Sequence, residues 1–199
     1  FSPYWFLSRS TRRPMRPRRS SARLAAAAVA ACALILAMPN ALLWLRADQM
    51  TATGEIRTMK LADGSRIQLG PASAIAINYA DGQREIQLLE GQAWFDVAPD
   101  PARPFRVHAD RLTATVLGTG FDVQNFDNAT TVTVGHGRVR VQSSDRAAPQ
   151  HELTAGQWIT IGSGHNEQKR TAAIASLGQW RQGALVARGE SIADVIDQI

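Results

Sequence analysis

The side chains best placed to do chemistry are carboxylates. Asp96 with Asp100, and Asp122 with Asp127, are close enough in sequence to form pairs, and Glu90 precedes them. Two carboxylates flanking one bond are what glycoside hydrolysis needs, one as acid and the other as base or nucleophile. These aspartates fall on segments that read as strand surfaces and turns, where acidic groups serve solvation. The histidines His108, His136, His151 and His165 are scattered, with no H-x-x-x-H or H-x-H pair and no thiolate partner. They lack the grouping of zinc ligands. There is no G-x-S-x-G elbow and no Walker-type loop. Gly118-Thr119-Gly120 lies between two strand-like runs, so it reads as a turn and not as a dinucleotide fingerprint, which needs a helix after it. The residues therefore assign no catalytic, cofactor or metal site. Binding or signalling is the expected role, not catalysis.

The elements that would carry these residues are short strands turned at glycines. One phrase recurs: DGSRIQL at 63–69, DGQREIQL at 81–88, EGQAWFDV at 90–97, GTGFDV at 118–123, GHGRVRV at 135–141 and AGQWITI at 155–161. Apolar and polar residues alternate after each glycine, the period of a half-buried strand. The alternation predicts strands at 66–69, 74–79, 84–88, 94–97, 105–109, 112–117, 121–124, 131–134, 138–141 and 158–161. Asp63-Gly64, Asp81-Gly82 and Glu90-Gly91 supply the positive φ of tight turns. Short strands with no helix between them predict a mainly β fold, an antiparallel sandwich or a β-solenoid-like domain. The segments 143–151 and 162–170 read as exposed loops, the second as a hinge without an apolar residue. Trp94, Phe95, Phe105, Phe121, Phe126 and Trp158 read mostly as core.

Charge divides the chain. Residues 1–46 hold eight arginines and no acid, leaving 14 basic and 17 acidic residues in the remainder, a balance of −3. The basic character belongs to the N-terminal tail, so a nucleic-acid face on the folded domain is not expected. Residues 24–45 form 22 uncharged positions, broken only by Pro39 and Asn40. About 20 apolar residues span a bilayer as a helix. Arg12, Arg13, Arg16, Arg18, Arg19 and Arg23 precede this run, and only Arg46 follows closely. The positive-inside rule then keeps the N-terminus cytoplasmic and exports residues 47–199. A cleaved signal peptide is the competing reading of the same run. The lone Cys32, inside the run, forms no intramolecular disulfide.

After Thr171 the pattern changes. Leu185 and Val186 read as part of one more strand. Ser191 then caps a helix whose Ile192, Val195, Ile196 and Ile199 fall at i, i+3, i+4 and i+7. Trp180 lies at the change of character. These seven residues are the candidate partner contacts.

The order of the phrases resembles the FecR family. The resemblance runs through TATGEIRTMKLADGSRIQLGPASAIAINY at 51–79, REIQLLEGQAWFDVAPDPARPFRVHA at 84–109, LGTGFDVQ at 117–124, VTVGHGRVRV at 132–141 and LTAGQWITI at 153–161. WRQGALVARGESIADVI at 180–196 resembles the family's next element, the start of a small α/β module similar to secretin and TonB-receptor signalling domains. The resemblance implies a transmembrane anti-sigma regulator of the bacterial inner membrane. Its implied partners are an extracytoplasmic-function (ECF) sigma factor and the signalling domain of a TonB-dependent outer-membrane receptor, in iron or siderophore uptake. The expected organisation is a basic cytoplasmic remnant at 1–23, a transmembrane helix at 24–45, a periplasmic β domain at 51–165 and the start of a truncated module at 178–199. The family's helical cytoplasmic domain finds no counterpart before residue 24, and the start at Phe1 reads as that of a fragment. A periplasmic carbohydrate-active or carbohydrate-binding β-solenoid, and a non-signalling envelope scaffold, are the alternatives from other classes.

Overall fold

A computed structural model describes residues 45–126, 129–145, 147–162, 167–171 and 179–182. The predicted span at 24–45 lies outside these residues except for Leu45. Among the described residues no helix is long and apolar enough to cross a membrane. In chain order the strands are β1 (Gln49–Met50), β2 (Arg57–Lys60), β3 (Arg66–Leu69), β4 (Ala74–Asn78), β5 (Arg84–Asp96), β6 (Phe105–Ala109), β7 (Leu112–Val116), β8 (Gly120–Phe126), β9 (Ala129–His136), β10 (Arg138–Ser143), β11 (His151–Thr154), β12 (Gln157–Gly162) and β13 (Glu167–Thr171).

All thirteen strands belong to one hydrogen-bonded sheet that curls into two layers. The first layer runs β1-β4-β5-β6-β7-β10-β11 and the second β2-β3-β5-β8-β9-β12-β13. Neighbours are antiparallel except β5 and β6, which run parallel. The predicted sandwich is therefore the observed architecture, with one parallel pair that alternation alone does not reveal.

β5 is shared by both layers. Arg84–Gln87 pair with β6 in the first layer, and Gly91–Asp96 pair with β8 in the second. Sequence reading divides this stretch into two strands around a Glu90-Gly91 turn. The structure corrects that: the backbone continues through a kink. The register against β4 slips there, with Ile75 opposite Leu88 but Ala74 opposite Glu90. One extra residue flips the phase of the strand. Ile86 and Leu88 point inward before the slip, Ala93 and Phe95 after it, and all four are completely buried. Gly91 takes φ +85°, and a β-carbon there would collide with Ser73, so only glycine fits. Asn125 supports the kink by donating from Nδ2 to the Leu88 and Leu89 carbonyls, both at 3.2 Å.

The inner faces build one apolar core. Phe95 of the second layer meets Phe105 of the first at 6.0 Å between ring centroids and stacks on Phe121 at 5.2 Å. Ile67, Leu69, Val107, Val132, Val139 and Ile159 complete its walls. Burial of such side chains, at about 1.5–3 kcal/mol each, is the main force holding the layers together.

Two edge strands overlap the segments read as loops at 143–151 and 162–170, the first only at His151 and the second at 167–170. His151–Thr154 and Glu167–Thr171 are strands, at the edges of the first and second layers respectively. Glu167–Thr171 is wholly polar, and His151–Thr154 sends only Leu153 into the core, so neither shows the apolar alternation of a central strand. His151 Nε2 lies 2.7 Å from Glu167 Oε2, and Lys169 Nζ donates to the Glu152 carbonyl at 3.0 Å. These contacts join the two layers at their open edges.

A buried polar knot organises the connection from β5 to β6. Arg84 is 1% exposed and pairs with Asp63 at 3.0 Å. Its guanidinium also donates to the carbonyls of Ala98, Asp100 and Arg103. Burial pushes the Asp63 carboxyl upward, but donors from Ser65 and the Arg84 guanidinium outweigh it and hold the group below the ordinary range. Burial, together with the neighbouring Asp63 carboxylate, pushes the ionisation of the Tyr79 hydroxyl well above the usual range for a phenol.

Candidate functional site

The outward face of the second layer carries an aligned cross-strand row. Gln68 on β3 is opposite Trp94 on β5, Trp94 opposite Asp122 on β8, Asp122 opposite Thr133 on β9, and Thr133 opposite Trp158 on β12. Inward Phe95, Phe121 and Val132 alternate with these residues, which is why strands with a buried face put this row outside. Gln92 and Gln124 form the adjacent row.

The short 3-10 turn Gln179–Gln182 is seated on this face. Trp180 donates its indole N–H to Asp122 Oδ1 at 3.1 Å. The other carboxylate oxygen, Oδ2, accepts from Gln92 Nε2 at 2.9 Å and Gln124 Nε2 at 3.2 Å. The Arg181 guanidinium carbon lies 3.9 Å from the centre of a Trp94 ring, a cation–π arrangement. The Arg181 carbonyl accepts from Gln68 Nε2 at 3.1 Å.

Glycines lie under both indoles, and Gly135 makes room for that of Trp94. A β-carbon on Gly135 would lie 2.5 Å from the Trp94 ring, and one on Gly70 would lie 3.4 Å from the Trp180 ring. Gly135 reads from sequence only as the opening of the glycine-led phrase at 135–141.

Asp122 is 4% exposed. Burial pushes its carboxyl up to about 6, against the opposing donors Gln92, Trp180 and Gln124 and the charge of Arg181. Sequence reading places Asp122 on a strand surface, and it does face outward. It is nevertheless buried, because a turn 58 residues later in the chain covers it. No local pattern signals that contact.

The other carboxylates are dispersed in role. Asp96 is half exposed, with His136 Nε2 at 3.5 Å. Glu90 is exposed at the β5 kink. Asp100 pairs with Arg103 at 2.7 Å, whose donors hold its carboxyl below the ordinary range. Asp127 lies outside the described residues. Asp122 has its oxygens occupied by three donors and is sealed beneath Trp180. His108 contacts Thr113 and Glu85, His151 contacts Glu167, and His165 lies outside the described residues. Among the described residues no cluster of three or more metal-ligating side chains occurs.

Of the seven predicted partner contacts, Trp180 is described, and it docks on the domain's own sheet. Leu185, Val186, Ile192, Val195, Ile196 and Ile199 lie outside the described residues.

Comparison with known proteins places this domain. The FecR protein family matches residues 47–140. Two crystal structures of a candidate anti-sigma factor from Parabacteroides distasonis ATCC 8503 share the fold, with TM-scores of 0.69 and 0.68 at 24% identity. Each match covers 75% of this chain, and 71% and 70% of the respective structures. No curated protein matches the chain. The family match identifies residues 47–140 as a FecR-type domain, the stretch that carries the kinked β5.

Proposed function

We propose that this chain is the sensor portion of a membrane-spanning anti-sigma regulator. It relays a periplasmic signal from the signalling domain of a TonB-dependent outer-membrane receptor to an ECF sigma factor, in iron or siderophore uptake. The FecR domain at 47–140 is the observation that carries this reading. Two features support it. The crystal structures that share the fold are of a candidate anti-sigma factor. The apolar run at 24–45, with arginines crowded on its N-terminal side, suits a single inner-membrane helix with the β domain exported. In this reading the sandwich is a scaffold, and the relay is conformational or proteolytic rather than catalytic. The region from 178 onward begins the receptor-facing surface, where addition of a strand is a physically reasonable mode of contact.

The test is a pulldown of the full-length regulator with the signalling domain of its receptor. Loss of binding on deletion of residues 178–199 and everything after them is expected. Binding that survives the deletion refutes the assignment of the receptor surface.

A further inference from the structure

We propose that the Gln179–Gln182 turn is a releasable latch, seated on an outward face that the second layer builds without it. The proposal does not depend on which partner the chain serves.

The site is built by the sheet alone. Gln68, Gln92, Trp94, Asp122 and Gln124 come from β3, β5 and β8, whose alignment is set by the ladder and the core beneath. The latch presents a matching group to each part of that surface. An indole N–H meets a carboxylate oxygen, a guanidinium covers an indole face, and a backbone carbonyl receives a glutamine amide. Three different chemistries converging from two adjacent residues, Trp180 and Arg181, make a specific contact out of a short segment.

The contact is also separable. The apolar core contains neither Trp94 nor Trp180, and Phe95, Phe121 and Val123 are completely buried on the opposite face of the same strands. Removing the turn takes no side chain from that core. The surface left behind is the Trp94 indole ringed by amides and a carboxylate, and Gln92 and Gln124 still hold Asp122. A pull on the chain beyond residue 182 acts directly on Arg181 and Trp180. Local opening of a segment with few core contacts needs far less free energy than unfolding the domain. The latch therefore converts a force or a competing contact downstream into exposure of Trp94 and Asp122.

The experiment follows solvent exchange of the Trp180 indole N–H by NMR in the full chain held in detergent, with indole-labelled tryptophan. The Trp180 signal is identified by its loss in Trp180→Phe. A latch predicts a protected indole N–H whose exchange does not change with low urea, because the opening is local. Core amides such as those of Phe95 and Val123 should exchange with a steep urea dependence in the same sample. Arg181→Ala should speed exchange of the Trp180 indole roughly threefold to tenfold, through loss of the stacked cation, and leave the core amides unchanged. Three results each overturn the proposal: an indole that shares the urea slope of the core, an indole exchanging at the rate of free indole, or an Arg181→Ala chain whose Trp180 exchange is unaltered or whose core protection falls in step.

Discussion

Asp122 gives this domain an inverted pH dependence that one substitution should abolish. Its carboxyl titrates near 6 in the folded chain, against an ordinary value of 3.8, because burial disfavours the charged form. A carboxyl with a raised folded value binds its proton more tightly folded than unfolded. Its stabilising effect is fully present below 3.8 and is lost as pH rises through 6. Linkage over that interval amounts to about 3 kcal/mol, of which about 1 kcal/mol, close to tenfold in the folded-to-unfolded ratio, falls between pH 5 and pH 7. Asp63 and Asp100 have lowered values and act oppositely, but their contribution is lost only in more acidic solution. The perturbation is Asp122→Asn, which keeps an acceptor for Trp180 and can never ionise. Gln92 and Gln124 can rotate their amides to meet the new donor. Urea unfolding of both chains in steps from pH 5 to pH 7 supplies the measurement, and subtracting the variant profile removes every other titrating group. The wild type should lose about 1 kcal/mol relative to the variant across the interval. A constant difference between the two profiles, or a wild type that gains stability relative to the variant as pH rises, refutes the account of Asp122 as a carboxylate held against its solvation.

Other substitutions probe the parts that position this face. Arg84→Ala leaves Asp63 charged and buried, and strands the carbonyls of Ala98, Asp100 and Arg103. It should cost about 3–5 kcal/mol in urea unfolding. Gly91→Ala forces a side chain into positive φ and against Ser73. A loss of about 2–4 kcal/mol is expected from the unfolding midpoint. Gly135→Ala drives a methyl group into the Trp94 ring. The displaced ring should lose its contact with Arg181, and Trp180 indole exchange should rise with it. His151→Ala removes the contact with Glu167. Amide exchange should quicken in β13 while β5 and β8 keep their protection.

Alternation made most central strands legible, because each has one face in the core and one in water. Ile67 and Leu69, or Val139 and Val141, mark their strands directly. The edge strands β11 and β13 were not legible: β13 serves solvent and the seam between layers, and β11 sends a single residue, Leu153, into the core, too few for an alternation. β5 was misread at Glu90-Gly91 for a different reason. A glycine with positive φ looks the same in sequence whether it turns the chain or kinks a continuing strand. The choice depends on what β4, β6, β3 and β8 offer to either side.

What the sequence by itself determined is the β class, the inward-facing residues, the division into a basic tail and a mildly acidic domain, and the FecR-type character of residues 47–140. All of these are written in local periodicity, charge and the order of short phrases. The tertiary structure alone decided that the strands close into two layers through β5, that Arg84 and Asp63 meet in the interior, and that Trp180 and Arg181 seal Asp122 against Trp94. Those contacts join residues far apart in the chain. A carboxylate carries no mark of its burial in its neighbours in sequence; its environment is set by the segment that comes to rest on it.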